Sequence, residues 1–140
     1  IELLVVIAIV AILSSIAMPL YKDYTTKAKL TEVNTIASDF KTRVALFAVE
    51  HGGYPSAGKA EHQKALGLAS NAAGNINSRY VSGIQIMEGG KFRLYPRRSQ
   101  LNLPQKAASY IEYEPEETGN ILNWKCQALG LEQFKGSLCR

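Results

Sequence analysis

Ile1-Glu2-Leu3-Leu4-Val5-Val6-Ile7-Ala8-Ile9-Val10-Ala11-Ile12-Leu13-Ser14-Ser15-Ile16-Ala17-Met18-Pro19 opens the chain, with Glu2 its one ionisable side chain and no glycine. As a helix rising about 1.5 Å per residue, residues 1–18 reach about 27 Å. That nearly matches the roughly 30 Å hydrocarbon layer of a bilayer, and Leu20 with the amphipathic Tyr21 completes the crossing. A secretory signal is the rival reading, but it needs a basic stretch in front and a small-residue cleavage site behind. This segment opens on an acid and runs on into a helical pattern.

Working outward, Leu30, Val33, Ile36, Ala37, Phe40, Val44, Phe47 and Ala48 recur at three- and four-residue spacing, one apolar helix face. Lys29, Glu32, Asp39, Lys41, Arg43 and Glu50 occupy the other face. Gly52 and Gly53, followed by Tyr54 and Pro55, supply the stop. The spacing predicts one helix of roughly 50 residues, about 75 Å long if straight. Pro19 removes one backbone donor and crowds the preceding turn, so a kink or local unwinding is expected there. Ser14 and Ser15 stand one turn earlier, where hydroxyls can serve freed carbonyls.

After the helix the composition turns to Ala, Gly, Asn and Ser, which predicts a surface loop over 52–79 holding one short helix near 57–66, capped by Ser56. The apolar period then becomes two. Val81, Ile84 and Ile86, then Phe92 and Leu94 across Gly89 and Gly90, predict a hairpin. Ile111 and Tyr113 predict a third strand, and residues 121–127 a fourth after a turn through 115–119. The expected class is α+β: a long N-terminal helix packed on a roughly four-stranded antiparallel sheet. Its parts are a membrane segment, 1–20, and a head, 21–140. The head comprises the helix continuation 21–51, the loop 52–79, the sheet 80–127 and a C-terminal region 126–139.

The 140 residues carry a formal charge of +4 and a pI near 9.1. Cys126 and Cys139 are the only cysteines, without CxxC or metal-ligand spacing. A disulfide there closes a short loop, worth about 3 kcal/mol in the chain-entropy account, and implies an oxidising compartment. Lys22, Lys27 and Lys29 follow the apolar segment, and counted alone they place the head in the cytoplasm. The cysteines carry more weight, and a basic leader ahead of Ile1 reverses the count.

Residues 1–9, then Met18-Pro19-Leu20-Tyr21 and Asp23-Tyr24, resemble the N-terminus of a type IV pilin, of the type IVa-like major kind. Gly119-Asn120-Ile121-Leu122-Asn123-Trp124-Lys125-Cys126, closing at Cys139-Arg140, resembles that family's disulfide-bounded segment. The resemblance implies a leader removed by a prepilin peptidase, N-methylation a few positions before Glu2, and residence in the bacterial inner membrane with a periplasmic head. It further implies that assembly machinery builds a helical filament of identical subunits, an extracellular pilus serving attachment to host or abiotic surfaces, twitching motility and DNA uptake. Ala11 departs from the family's usual glycine. Two relatives of other function share this N-terminus, the type II secretion pseudopilins and the DNA-receptor minor pilins. The former often hold the head with calcium, against which Cys126 and Cys139 argue.

Glu2 is the most informative single residue, because an ionised carboxylate in hydrocarbon costs a few kcal/mol and nothing else in residues 1–18 can pair with it. Its partner lies outside the chain, unless it sits in headgroup water. The resemblance makes that partner a neighbouring subunit's N-terminal amine and Glu2 a register device. Pro19 is either a point of filament flexibility or a simple bend. The loop 127–138, with Leu129, Leu131, Phe134 and Lys135, is either a contact surface or a packed cap. Lys91, Arg93, Arg97 and Arg98, with Tyr95, form a basic run able to face DNA or another polyanion, strand alternation placing Lys91, Arg93 and Tyr95 opposite Phe92 and Leu94. Glu112, Glu114, Glu116 and Glu117 lack the spacing of a calcium loop. With His51 and His62 isolated and no catalytic motif, neither enzyme activity nor a cofactor is expected.

Overall fold

The computed structural model describes residues 1–70, 76–103 and 109–139. Helix α1, Glu2–His51, is the predicted single helix of 50 residues. Gly52 ends it in the left-handed conformation, φ 68°, which glycine adopts without penalty. Two halves with opposite solvation share this helix. Residues 1–24 are exposed throughout, and burial begins at Thr26. From there Leu30, Val33, Ala37, Phe40, Val44 and Phe47 turn into the head.

Helix α1 is unbroken through Pro19, so the unwinding expected there is not found. One missing amide bond does not end a helix flanked by long runs of good helix formers whose backbone has no other partners. Nor do the serines serve the carbonyl freed by Pro19: Ser15 Oγ donates to the Ile12 carbonyl at 2.7 Å.

Four strands follow in the order β1-β2-β3-β4, each antiparallel to the next. They are β1 Val81–Ile86, β2 Phe92–Pro96, β3 Tyr110–Thr118 and β4 Ile121–Leu129. Ile84, Ile86, Phe92, Leu94, Ile111 and Tyr113 form the inner face against α1, all at most 2% exposed. Phe92 is the hub, edge-on to Phe40 with ring centres 4.8 Å apart and stacked on Tyr113 at 5.0 Å. The helix-on-sheet arrangement is the α+β class read from the sequence.

Two local expectations are corrected. Residues 115–119 are not one turn: β3 continues through Pro115 to Thr118 and reverses over Gly119-Asn120. Proline is tolerated there because β2 pairs with β3 only from Ile111 to Tyr113, so 114–118 border β4 alone. The short helix α2 is Ala60–Ala65, capped by Lys59 without a side-chain bond. Ser56 Oγ turns instead to Glu88, at 3.2 Å. Part of the loop predicted over 52–79 lies outside the described residues, as does Arg140.

Two one-turn helices complete the head. Helix α3, Arg98–Leu101, follows β2, and α4, Lys135–Leu138, lies beside the second cysteine.

Candidate assembly interface

The first 24 residues make no packed contact with the head, and their apolar side chains are largely bare: Leu3 is 81% exposed, Ile12 63%, Leu20 65%. The helix is long and apolar enough to cross a membrane. Such a surface has no stable place in water; burying each large aliphatic side chain is worth about 1.5–3 kcal/mol. Glu2 projects from the first turn, exposed. Among the described residues no ion pair reaches it.

The head closes over its own C-terminus. Cys126 on β4 and Cys139 after α4 are bonded, with Cα atoms 5.4 Å apart. Asn34 of α1 donates its side-chain amide to the Ser137 carbonyl at 2.6 Å, and the buried Tyr113 hydroxyl reaches the Leu138 carbonyl at 3.5 Å. Burial pushes the Tyr113 hydroxyl up to about 12. Leu131, Phe134 and Leu138 are buried, while Leu129 and Lys135 stay exposed. Most of the apolar side chains of this loop thus belong to the core, and its outer rim is what a partner meets.

Lys41 leans on the same region from α1, its ammonium 4.2 Å from the centre of the Tyr113 ring. Partial burial lowers its pKa. Near the helix end, the imidazole of His51 stacks on Phe47 at 4.0 Å and His62 meets that ring edge-on at 4.8 Å. The two histidines are packing groups around one phenylalanine.

The basic run does not stay together. Arg93 and Tyr95 do face away from Phe92 and Leu94, but Arg93 Nε donates to Glu112 at 2.6 Å and its guanidinium lies over Tyr110. The Glu112 bond raises the Arg93 pKa further. Lys91 stands 3.8 Å from Glu112 and 3.4 Å from Glu114. The acidic strand opposite therefore neutralises these two cations across the sheet. Among the described residues no acidic cluster has the make-up of a metal site. Arg97 leaves the strand to donate through Nε to the Ser78 carbonyl at 2.9 Å, and Arg98 opens α3. Helix α3 docks at the lower end of the head: Thr26 Oγ1 donates to the Leu101 carbonyl at 3.3 Å and Lys29 Nζ to the Gln100 carbonyl at 3.0 Å.

No pattern in the residue order announces that docking, because the donors and acceptors are separated by more than seventy residues. Tyr54 is another group it missed. Its ring packs against Gly90, which sits at φ +77° where an added Cβ meets Tyr54 Cδ1 at 2.6 Å. Doubled glycines before a strand were the only available signal.

A family profile for pilins, described as bacterial filament proteins, matches residues 26–140. The chain is similar to the type IV major pilin protein PilE of Neisseria gonorrhoeae, 35% identical over 126 residues, 90% of this chain and 70% of the relative. It is 36% identical over 89 residues to a fimbrial protein of Neisseria meningitidis serogroup A, which covers 64% of this chain and 48% of that protein. It is 37% identical over 89 residues to the prepilin peptidase-dependent protein D of Escherichia coli K12, covering 64% of the chain and 56% of that protein. Several of these alignments thus span about half the length of the relative.

Proposed function

Because the chain belongs to the pilin family of bacterial filament proteins, we propose that it is the structural subunit of a type IV pilus, working by assembly and not by catalysis. The observation that carries this is the continuity of α1: one rigid helix bears the head on residues 26–47 and a bare apolar rod on 1–24. In the inner membrane the rod is dissolved by lipid, with the head on the periplasmic side, where an oxidising environment keeps Cys126 and Cys139 joined. In the filament the rods of neighbouring copies solvate one another. Both surroundings are apolar, so transfer between them changes little of the burial energy.

Glu2 supplies the register. A rod without charge slides along its neighbours with little preference, whereas a carboxylate excluded from water tolerates only positions that bring it a cation. The cation offered by the family pattern is the N-terminal amine of an adjacent subunit. The same proposal includes processing by a prepilin peptidase and handling by pilus assembly machinery. The names of the relatives, type IV major pilin and fimbrial protein, favour a major subunit over a secretion pseudopilin.

Mass spectrometry of filaments sheared from cells making this chain tests the reading. The chain should dominate the filament by mass and carry a deficit matching one disulfide. Filaments dominated by another pilin would reject the major-subunit role.

A further inference from the structure

We propose that His62 is the latch of an acid-released clasp, which holds the loop after α1 against α2 at neutral pH and frees it when the imidazole takes up a proton. Two hydrogen bonds fix where the histidine protons sit. The Ser56 amide donates to His62 Nδ1 at 3.1 Å. A backbone N–H can only donate, so Nδ1 is the bare nitrogen of a neutral ring whose proton is on Nε2. His51 is the reverse case. Its Nδ1 stands 3.1 Å from the Phe47 carbonyl, which can only accept, so there Nδ1 carries the proton.

Both rings lie on Phe47, His51 stacked at 4.0 Å and His62 edge-on at 4.8 Å, yet acid acts on them differently. A proton added to His51 goes to Nε2, spares the bond to Phe47 and places positive charge in the last turn of α1, where the helix dipole favours it. A proton added to His62 has only Nδ1 to occupy. It sets one N–H against another, so the Ser56 bond is lost, and either the His62 ring leaves the Phe47 edge or the Ser56 amide turns to water.

The sheet side of the segment does not titrate with it. Ser56 Oγ keeps Glu88 at 3.2 Å, the Pro55 carbonyl keeps the Gly90 amide, and Tyr54 keeps Glu117. Gln63 Nε2 likewise keeps the Ala57 carbonyl at 2.9 Å. Release is therefore local to Ser56 and His62. The charged groups around the seam are Lys59, Glu61 and Lys64 on the α2 side, Glu50 next to His51 on α1, and Glu88 behind Ser56. Arg43, one turn before Phe47, is already bonded to Asp39 and the Leu66 carbonyl. Among the described residues no ion pair reaches either imidazole, so no carboxylate compensates for the lost bond. The head thus carries, beside the end of α1, a surface that changes with the acidity around it while the sheet core stays closed.

The test is NMR of the isotope-labelled full chain in detergent micelles at about pH 7.5 and about pH 5, on either side of the usual histidine range. At the higher pH the imidazole nitrogen shifts should report Nε2–H at His62 and Nδ1–H at His51. Protection of the Ser56 amide, referenced to the unstructured exchange rate at each pH, should fall about 5-fold or more in acid, the weight of one ordinary hydrogen bond. Amides of the central strand β2 should stay protected throughout. His62→Phe keeps a ring on Phe47 without the acceptor, so Ser56 should be poorly protected at both pH values, whereas His51→Gln should keep the response. An Nδ1–H at His62 at the higher pH, equal Ser56 protection at both, a response that survives His62→Phe, or loss of β2 protection together with Ser56 would each overturn the clasp. Should His62→Phe not fold, the parent's nitrogen shifts and Ser56 protection decide alone.

Discussion

Tyr54 Oη donates to Glu117 Oε1 at 2.6 Å, joining the segment that leaves the long helix to the free-standing part of the β3–β4 hairpin. The pairing spans 63 residues and spreads over two elements that otherwise meet little. Beneath it Gly90 lets the Tyr54 ring lie against the backbone, and the Gly90 amide donates to the Pro55 carbonyl at 3.2 Å. Loop, turn and hairpin are fastened together here, and the Ser56 hydroxyl adds a second tie from loop to turn at Glu88.

Tyr54→Phe removes the bond while keeping the ring. It should lower the stability of the folded head by about 1 kcal/mol, the net worth of a typical hydrogen bond. Chemical denaturation of the full chain in detergent, followed by tryptophan fluorescence, measures it; an unchanged midpoint would show the bond to be idle.

Alkaline pH provides an independent readout. Burial, then the hydrogen bond to Glu117 and its charge, push the Tyr54 hydroxyl up to about 12 from 10.0, and burial does the same to Tyr113. The unfolded chain loses these protons first as pH rises. Stability should therefore be intact below about pH 10 and decline from there toward pH 12. Tyr54→Phe should make that decline shallower, and an equal slope in both proteins would contradict the assignment.

Gly90→Ala should cost more than Tyr54→Phe. The new methyl meets Tyr54 Cδ1 at 2.6 Å and Cγ at 2.9 Å, on a residue held at φ +77°. The expected loss is on the order of 1–3 kcal/mol, combining backbone strain with displacement of the ring. Combining it with Tyr54→Ala should recover part of the loss, since the clash goes with the ring. Strict additivity in that double-mutant cycle would count against the contact.

Glu112→Gln tests why the basic strand is silent. It leaves Arg93 without its carboxylate and Lys91 with Glu114 alone. Polyanion binding by this face should rise, with a steeper salt dependence than the parent's. Binding of DNA by the parent protein that falls on Arg93→Gln would mean the cations are available despite their partners.

Glu2→Gln should leave the chain inserted and folded yet strongly reduce filament yield, because a neutral amide no longer penalises wrong registers. Comparing sheared filament with the membrane pool of the same cells reads this directly. Normal yield would reject the register role.

Much of this architecture is legible in residue order, and the illegible remainder has a pattern. The apolar run 1–18 and the stripe from Leu30 to Ala48 announce α1 because helical period and membrane length are local properties. The alternation around Ile84, Ile86, Phe92 and Leu94 announces a hairpin for the same reason. Cys126 and Cys139 are informative because no other cysteine competes. What escapes is contact between distant stretches. Arg97 and Arg98 adjoin Lys91 and Arg93 in sequence, yet β2 ends at Pro96 and Arg97 turns its guanidinium to the Ser78 carbonyl, 19 residues back. Pro115 reads as a turn because proline usually marks one; only the short reach of β2 reveals that its edge is open. Ser56 fails as a helix cap because Glu88, 32 residues on, takes its hydroxyl.

The bare rod of residues 1–24 also changes the dimension in which assembly is counted. A subunit held in a bilayer by such a segment would diffuse in a plane, its axis confined to a cone about the membrane normal. Two rotational freedoms and one translation are surrendered before any neighbour is met. The supply for growth is then a surface density, indifferent to the volume of the compartment into which the head projects.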